Sequence, residues 1–106
     1  MVIADFIPVG QENAISCRTL AGRAGISERD VQEAVLQARS NGVPICSGSY
    51  GYFMPRDAAE ALHYFYAQSS RIRSGMLVLK AVRDYIHREG NREQWEHLEQ
   101  IEHEMP

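Results

Sequence analysis

Cysteine, long apolar runs and clustered metal ligands are all scarce in this chain, and each scarcity closes off a class of protein. Only two cysteines occur among 106 residues, Cys17 and Cys46. Each lies inside an apolar-flanked stretch, so they read as small core thiols more readily than as a bridge. A chain of this length is one domain, or a small domain with an appendage, and it buries well over half of its unfolded surface without a staple. No stretch is apolar for the ~20 residues a membrane helix needs, and the first residues show neither a basic leader nor a small-residue cleavage site. A cytoplasmic protein with no membrane partner is expected.

Catalytic signatures are equally thin. His63, His87, His97 and His103 are scattered over helical positions without metal-ligand spacing. Gly48 and Gly51 fall in a hairpin pattern, so they do not form a phosphate-cradling loop ahead of a helix. No serine sits in a nucleophile elbow. The expectation is a protein that is not an enzyme and has no catalytic residue, no metal, no cofactor and no identifiable small-molecule effector.

Charge is unevenly distributed. Residues 1–56 are neutral overall, residues 57–89 carry a net charge of plus one and residues 90–106 minus four, within a chain total of minus three. The acidity therefore belongs to the tail, where Glu93 to Glu104 read as a solvated helix face.

What is present is a run of local signals from Ala14 to Pro55. Leu20, Ala21 and Ala24 give a short helix one apolar face from about Cys17, with Ser16 as its N-cap and Gly25 as its stop. Ser27 precedes Asp30 by three residues, a relative of the Ser-x-x-Glu capping box. In the helix that follows, Val31, Ala34, Val35 and Ala38 recur at three- and four-residue steps. That spacing turns Glu28, Arg29, Gln32, Glu33 and Leu36 outward, and Asn41-Gly42 closes the helix.

Beyond Gly42 the period falls to two. Val43 and Ile45 alternate with Pro44 and Cys46, then Tyr50, Tyr52 and Met54 alternate with Gly51 and Phe53. Ser47-Gly48-Ser49 supplies turn chemistry between two short strands. Such a hairpin needs a third strand or a helix face, and Ala14-Ile15-Ser16 can supply the strand.

These residues in this order resemble the winged helix-turn-helix domains, the group that includes the N-terminal domain of the biotin operon repressor and many small bacterial and phage DNA-binding proteins. The resemblance is carried by Leu20-Ala21, Gly25-Ile26-Ser27, Val31, Ala34, Val35, Asn41-Gly42-Val43-Pro44-Ile45 and Gly51-Tyr52-Phe53-Met54-Pro55. It covers about half of the chain. Two features depart from the family: only Met1 to Ile7 remain for the usual first helix, with Ile3, Phe6 and Ile7 as its apolar face, and Glu28 and Glu33 stand where basic or neutral residues are common.

The resemblance implies an α+β, mainly α fold, with the winged domain over 1–56 and a helical region over 57–106. It also implies double-stranded DNA as partner, with the 28–41 helix entering the major groove. Glu28, Arg29, Gln32 and Glu33 then approach the bases, with Ser27 a further DNA-contacting residue, Gln32 suited to adenine, and the two glutamates either accepting from cytosine or opposing phosphates. Arg18 and Arg23 hold phosphate, and Ser47, Ser49 and Tyr50 form the wing tip. The family scaffold also occurs as a protein-interaction module without DNA binding, and fold alone does not choose.

Beyond Pro55 a helical pattern runs for over thirty residues, starting at Asp57 and Glu60 and interrupted only by Gly75 before Gly90. Leu62, Phe65, Ser69, Ile72, Met76, Leu79, Arg83 and Ile86 step by three and four, the seam of a coiled coil, and predict a homodimer interface. In the alternative, Leu62, Phe65 and Ile72 cover the winged core while Met76, Leu79 and Ile86 pack on a last helix capped by Asn91 and striped by Trp95, Leu98 and Ile101. The Tyr64-Phe65-Tyr66 cluster suits core or interface more than base stacking.

Overall fold

The computed structural model describes residues 1–104. The architecture is α+β and mainly α. Two short 3₁₀ turns, Ile3–Phe6 and Gln11–Asn13, precede α1 (Cys17–Ala24), α2 (Glu28–Ser40), β1 (Cys46–Gly48), β2 (Gly51–Phe53), the long α3 (Ala58–Glu89) and α4 (Arg92–Glu104). The chain divides into two compact units, Met1–Phe65 and Tyr66–Pro106.

In the first unit the expected caps form. The Ser16 hydroxyl accepts from Thr19 N at 3.0 Å and the Ser27 hydroxyl from Asp30 N at 3.1 Å, satisfying amides that a helix start leaves without partners. Gly25 ends α1 at φ 70°, a left-handed position that a side chain makes costly. The turn brings α1 and α2 together around Leu20, Val31 and Val35, and Ile3, Ile7, Ala21, Ala24 and Ile45 complete the core. The expected first helix is only the 3₁₀ turn Ile3–Phe6. It nevertheless delivers Ile3 and Ile7 to the core and leaves Phe6 half-buried.

The first strand and the turn lie further toward the C-terminus than the sequence expectation, whereas the second strand falls within it. Pairs are Cys46↔Phe53, Ser47↔Tyr52 and Gly48↔Gly51, so Ser49-Tyr50 is the turn and Ser47-Gly48 belongs to a strand. Residues 43–45 are a connector instead. Val43 N donates to Ala38 O to close α2, Ile45 N bonds back to Val43 O, and Pro44 has no N–H to give a ladder. The third strand forms as a single bridge, with Ile15 and Tyr52 exchanging bonds of 3.1 and 2.7 Å. A parallel bridge, Val9↔Met54, has no counterpart in the sequence pattern.

Gly51, at φ 113°, explains how Ile15 comes so close. A Cβ there would collide with the Ile15 carbonyl. The start of α3 is tied down by two side chains. Glu60 N is capped by Asp57 at 2.8 Å, while the Glu60 carboxylate accepts from Gln11 N at 3.2 Å and Arg56 N at 3.1 Å. Tyr64 packs edge-on against Phe53, with ring centroids 5.9 Å apart. Leu62 and Phe65, offered by the alternative reading as core cover, are instead exposed.

The second unit is a helical hairpin. A full capping box starts α4: Gln94 N donates to Asn91 Oδ1 at 2.9 Å and Asn91 N to Gln94 Oε1 at 3.0 Å. Trp95 Nε1 donates to Ile86 O at 2.9 Å, and Arg83 pairs with Glu102 at 3.4 Å, so α4 runs back along the end of α3. Among the described residues of this unit no side chain is buried.

Candidate nucleic-acid interface

The packing of Val31 and Val35 decides which side of α2 is free. Both are buried, so the opposite side, with Arg29, Gln32, Glu33 and Leu36, is exposed. Ser27 and Glu28 are exposed at the same helix start, where the macrodipole offers partial positive charge.

That side is electrically mixed. Arg29 and Glu33 form an i,i+4 pair at 3.5 Å with both side chains largely in water. Such a pair is worth a few tenths of a kcal/mol and is readily given up to a phosphate. Arg18 and Arg23 on α1 are exposed and make no ion pair among the described residues. They are the cations of this unit left for a polyanion.

At the wing the predicted residues separate. Ser49 and Tyr50 form the turn, and Tyr50 is 78% exposed. Ser47 is not at the tip. It sits in β1, where its hydroxyl accepts from Arg39 Nη2 at 3.1 Å and its amide donates to the Tyr64 hydroxyl at 3.1 Å. Its role is to hold the wing, because its polar groups are already used.

Arg39 and Tyr64 are the positioning residues that the sequence reading missed. Arg39, in the last turn of α2, also donates through Nε to Ile45 O at 2.8 Å, so the free helix side and the wing are locked to one another. The only sequence signal for it was a basic residue near a helix C-terminus.

Cys17 lies where α1, the start of α2 and the hairpin meet, and its thiol donates weakly to Glu28 O at 3.5 Å. Burial, reinforced by the Glu28 carboxylate, pushes this thiol above its ordinary range. Tyr52 is raised by burial and by Cys17 beside it, and Cys46 by burial, with Arg39 opposing and Glu60 adding. Both cysteines are free, Cys46 buried and Cys17 half-buried. No group of three His, Cys, Asp or Glu side chains is placed to hold a metal ion among the described residues. Among those residues no helix is long and apolar enough to cross a membrane.

The seam residues divide as well. Leu62, Phe65, Ile72, Met76 and Leu79 are exposed, whereas Ser69, Arg83 and Ile86 are partly covered, the last two next to α4 of the same chain. No protein-family model, curated protein or solved structure matches this chain.

Proposed function

We propose that the first unit binds double-stranded DNA through the uncovered side of α2, as a transcriptional regulator or an accessory factor in DNA transactions, and that the protein works as a homodimer. The observation that carries this reading is the free α2 side, Arg29 through Leu36, beside a hairpin whose turn alone projects. A helix presented in this way fits the major groove, and an exposed Ser49-Tyr50 turn suits the neighbouring backbone or minor groove. Gln32 is the residue suited to a bidentate contact with adenine. Arg18, Arg23 and Arg29 meet about three phosphates per subunit, a modest counterion-release term that a dimer doubles. The test is a titration of mixed-sequence duplex at low and moderate salt. Saturable binding that weakens with salt is expected, and its absence at both concentrations removes the proposal.

One observation favours a second reading. Leu36 is 69% exposed in the middle of the α2 side, and Glu28, Asp30 and Glu33 crowd the same helix. An exposed apolar residue with Glu33 beside it, on a helix that carries two more acids in its first turn, suits a protein partner better than phosphate. Capture of partners with and without nuclease treatment separates the two: a partner set that survives nuclease supports this reading.

A further inference from the structure

The middle of α3 is exposed among the described residues. Met76, Leu77, Val78 and Leu79 are consecutive, point around the full helix circumference, and are 55–65% exposed. A helix apolar on all sides belongs inside an assembly. The second unit has no buried side chain among its described residues, so most of its apolar surface is in water.

The geometry of the hairpin indicates what covers it. Contacts of Trp95 with Ile86 and of Glu102 with Arg83 place α4 against roughly the last dozen residues of α3. The exposed stretch, Ser70 to Lys80, spans about 17 Å, and the 13 residues of α4 span about 20 Å. A shallow groove lies along that stretch, floored by Ile72, Met76 and Leu77 and flanked by Arg73, Lys80 and Arg83. From Ser69 to Lys80 the chain carries Arg71, Arg73 and Lys80 and no acid, whereas α4 carries five Glu against Arg92 alone. Trp95 and Ile101 on α4 keep 39% and 49% of their surface exposed.

From this match of length, charge and apolar surface we infer that the groove on α3 is occupied by α4 of a second copy, in an antiparallel two-fold dimer with Met76–Leu79 at the axis. The symmetry does the rest. With the axis near residues 77 and 78, each α3 is covered at its end by its own α4 and in its middle by the partner's, giving four helices. Arg71 then lies level with the second copy's Glu96, and Arg73 with its Glu99. A parallel pairing instead stacks Arg83 on its own copy in the seam and leaves Arg71 and Arg73 without acidic neighbours. This inference deepens the dimer in the proposed function but does not depend on DNA, which is absent from its test.

The test is sedimentation equilibrium of the full chain at micromolar concentration. A dimer is expected, and Met76→Glu should shift it to monomer while the far-UV helical signal persists. Arg71→Glu with Arg73→Glu should raise the dissociation constant at least tenfold, and adding Glu96→Lys with Glu99→Lys should restore it. A monomeric parent chain overturns the inference. So does a dimer indifferent to the arginine reversals, or one that the glutamate reversals fail to rescue. A monomer would also remove the doubled counterion-release term, whereas the duplex surface of the first unit is read separately in the duplex titration.

Discussion

The Tyr64 hydroxyl accepts the backbone N–H of Ser47 across 17 residues of sequence, at 3.1 Å. One helix side chain thereby holds the wing strand, with the ring packed edge-on against Phe53. Tyr64→Phe keeps the packing and removes the acceptor. The expected cost is about 1 kcal/mol of stability, read from denaturant midpoints. Faster amide exchange at Ser47 should accompany it, and unchanged exchange would show that the bond does not hold the wing.

Gly51 is the second control point of the hairpin. Its left-handed φ and the Ile15 carbonyl beside its Cα both exclude a side chain. Gly51→Ala is therefore expected to destabilise the first unit by about 2 kcal/mol or more, from backbone strain plus the loss of the Ile15–Tyr52 bridge. Gly22 has open space where a Cβ would sit and no such φ. Gly22→Ala in α1 is the matched control and should be neutral or stabilising in the same thermal melts.

Alkaline pH should weaken the fold through three groups. Cys17, Cys46 and Tyr52 all have folded-state pKa values above the ordinary 9.0 and 10.0. The unfolded chain thus loses these protons first, so stability is fully present below pH 9.0 and declines as pH rises through the raised values. Urea titrations between pH 7 and 11 check the sign. Replacing Cys17 with Ala should flatten part of the slope, and stability that rises with pH would contradict the assignment.

Duplex affinity has its own dependence. If Arg18, Arg23 and Arg29 each neutralise a phosphate, removing one lowers the steepness of log affinity against log salt by about 0.9 per subunit. Arg29→Ala combined with Arg23→Ala should therefore both weaken binding and flatten its salt dependence. Gln32→Ala is expected to act differently, costing about 1–3 kcal/mol on a preferred site and little on mixed sequence. Binding that ignores the two arginine changes would relocate the contact surface.

Some of the candidate site could be seen in the sequence because it depends on neighbours within one or two turns. Spacing alone placed Val31 and Val35 inward, and so left Arg29, Gln32 and Glu33 outside. The wing could be located but not registered. Turn-forming residues follow one another from Ser47 to Ser49 and put Ser47 at the tip by composition, whereas the turn falls at Ser49-Tyr50. The third strand at Ile15 is expected from the sequence, but its partner Tyr52 is not, and the contacts of Arg39 and Tyr64 with Ser47 join residues that the pattern of neighbours does not connect.

The same division runs through the helices. Ser16, Ser27, Asp57 and Asn91 cap their helices as expected because a cap is a bond to a backbone amide three residues away. The heptad spacing of Leu62 to Ile86 is equally local, but it does not say whether those positions meet a partner or the chain itself. In the structure Arg83 and Ile86 lie against α4, while Ile72, Met76 and Leu79 are exposed.

The sequence by itself determined where helices begin and end, which face of α2 is apolar and that a hairpin follows, because backbone sterics and short-range periodicity act within a few residues. Tertiary structure alone decided the register of the wing, the residues that brace it and which part of α3 stays uncovered. Those outcomes depend on distant segments competing for the same hydrogen-bonding groups and the same apolar surface.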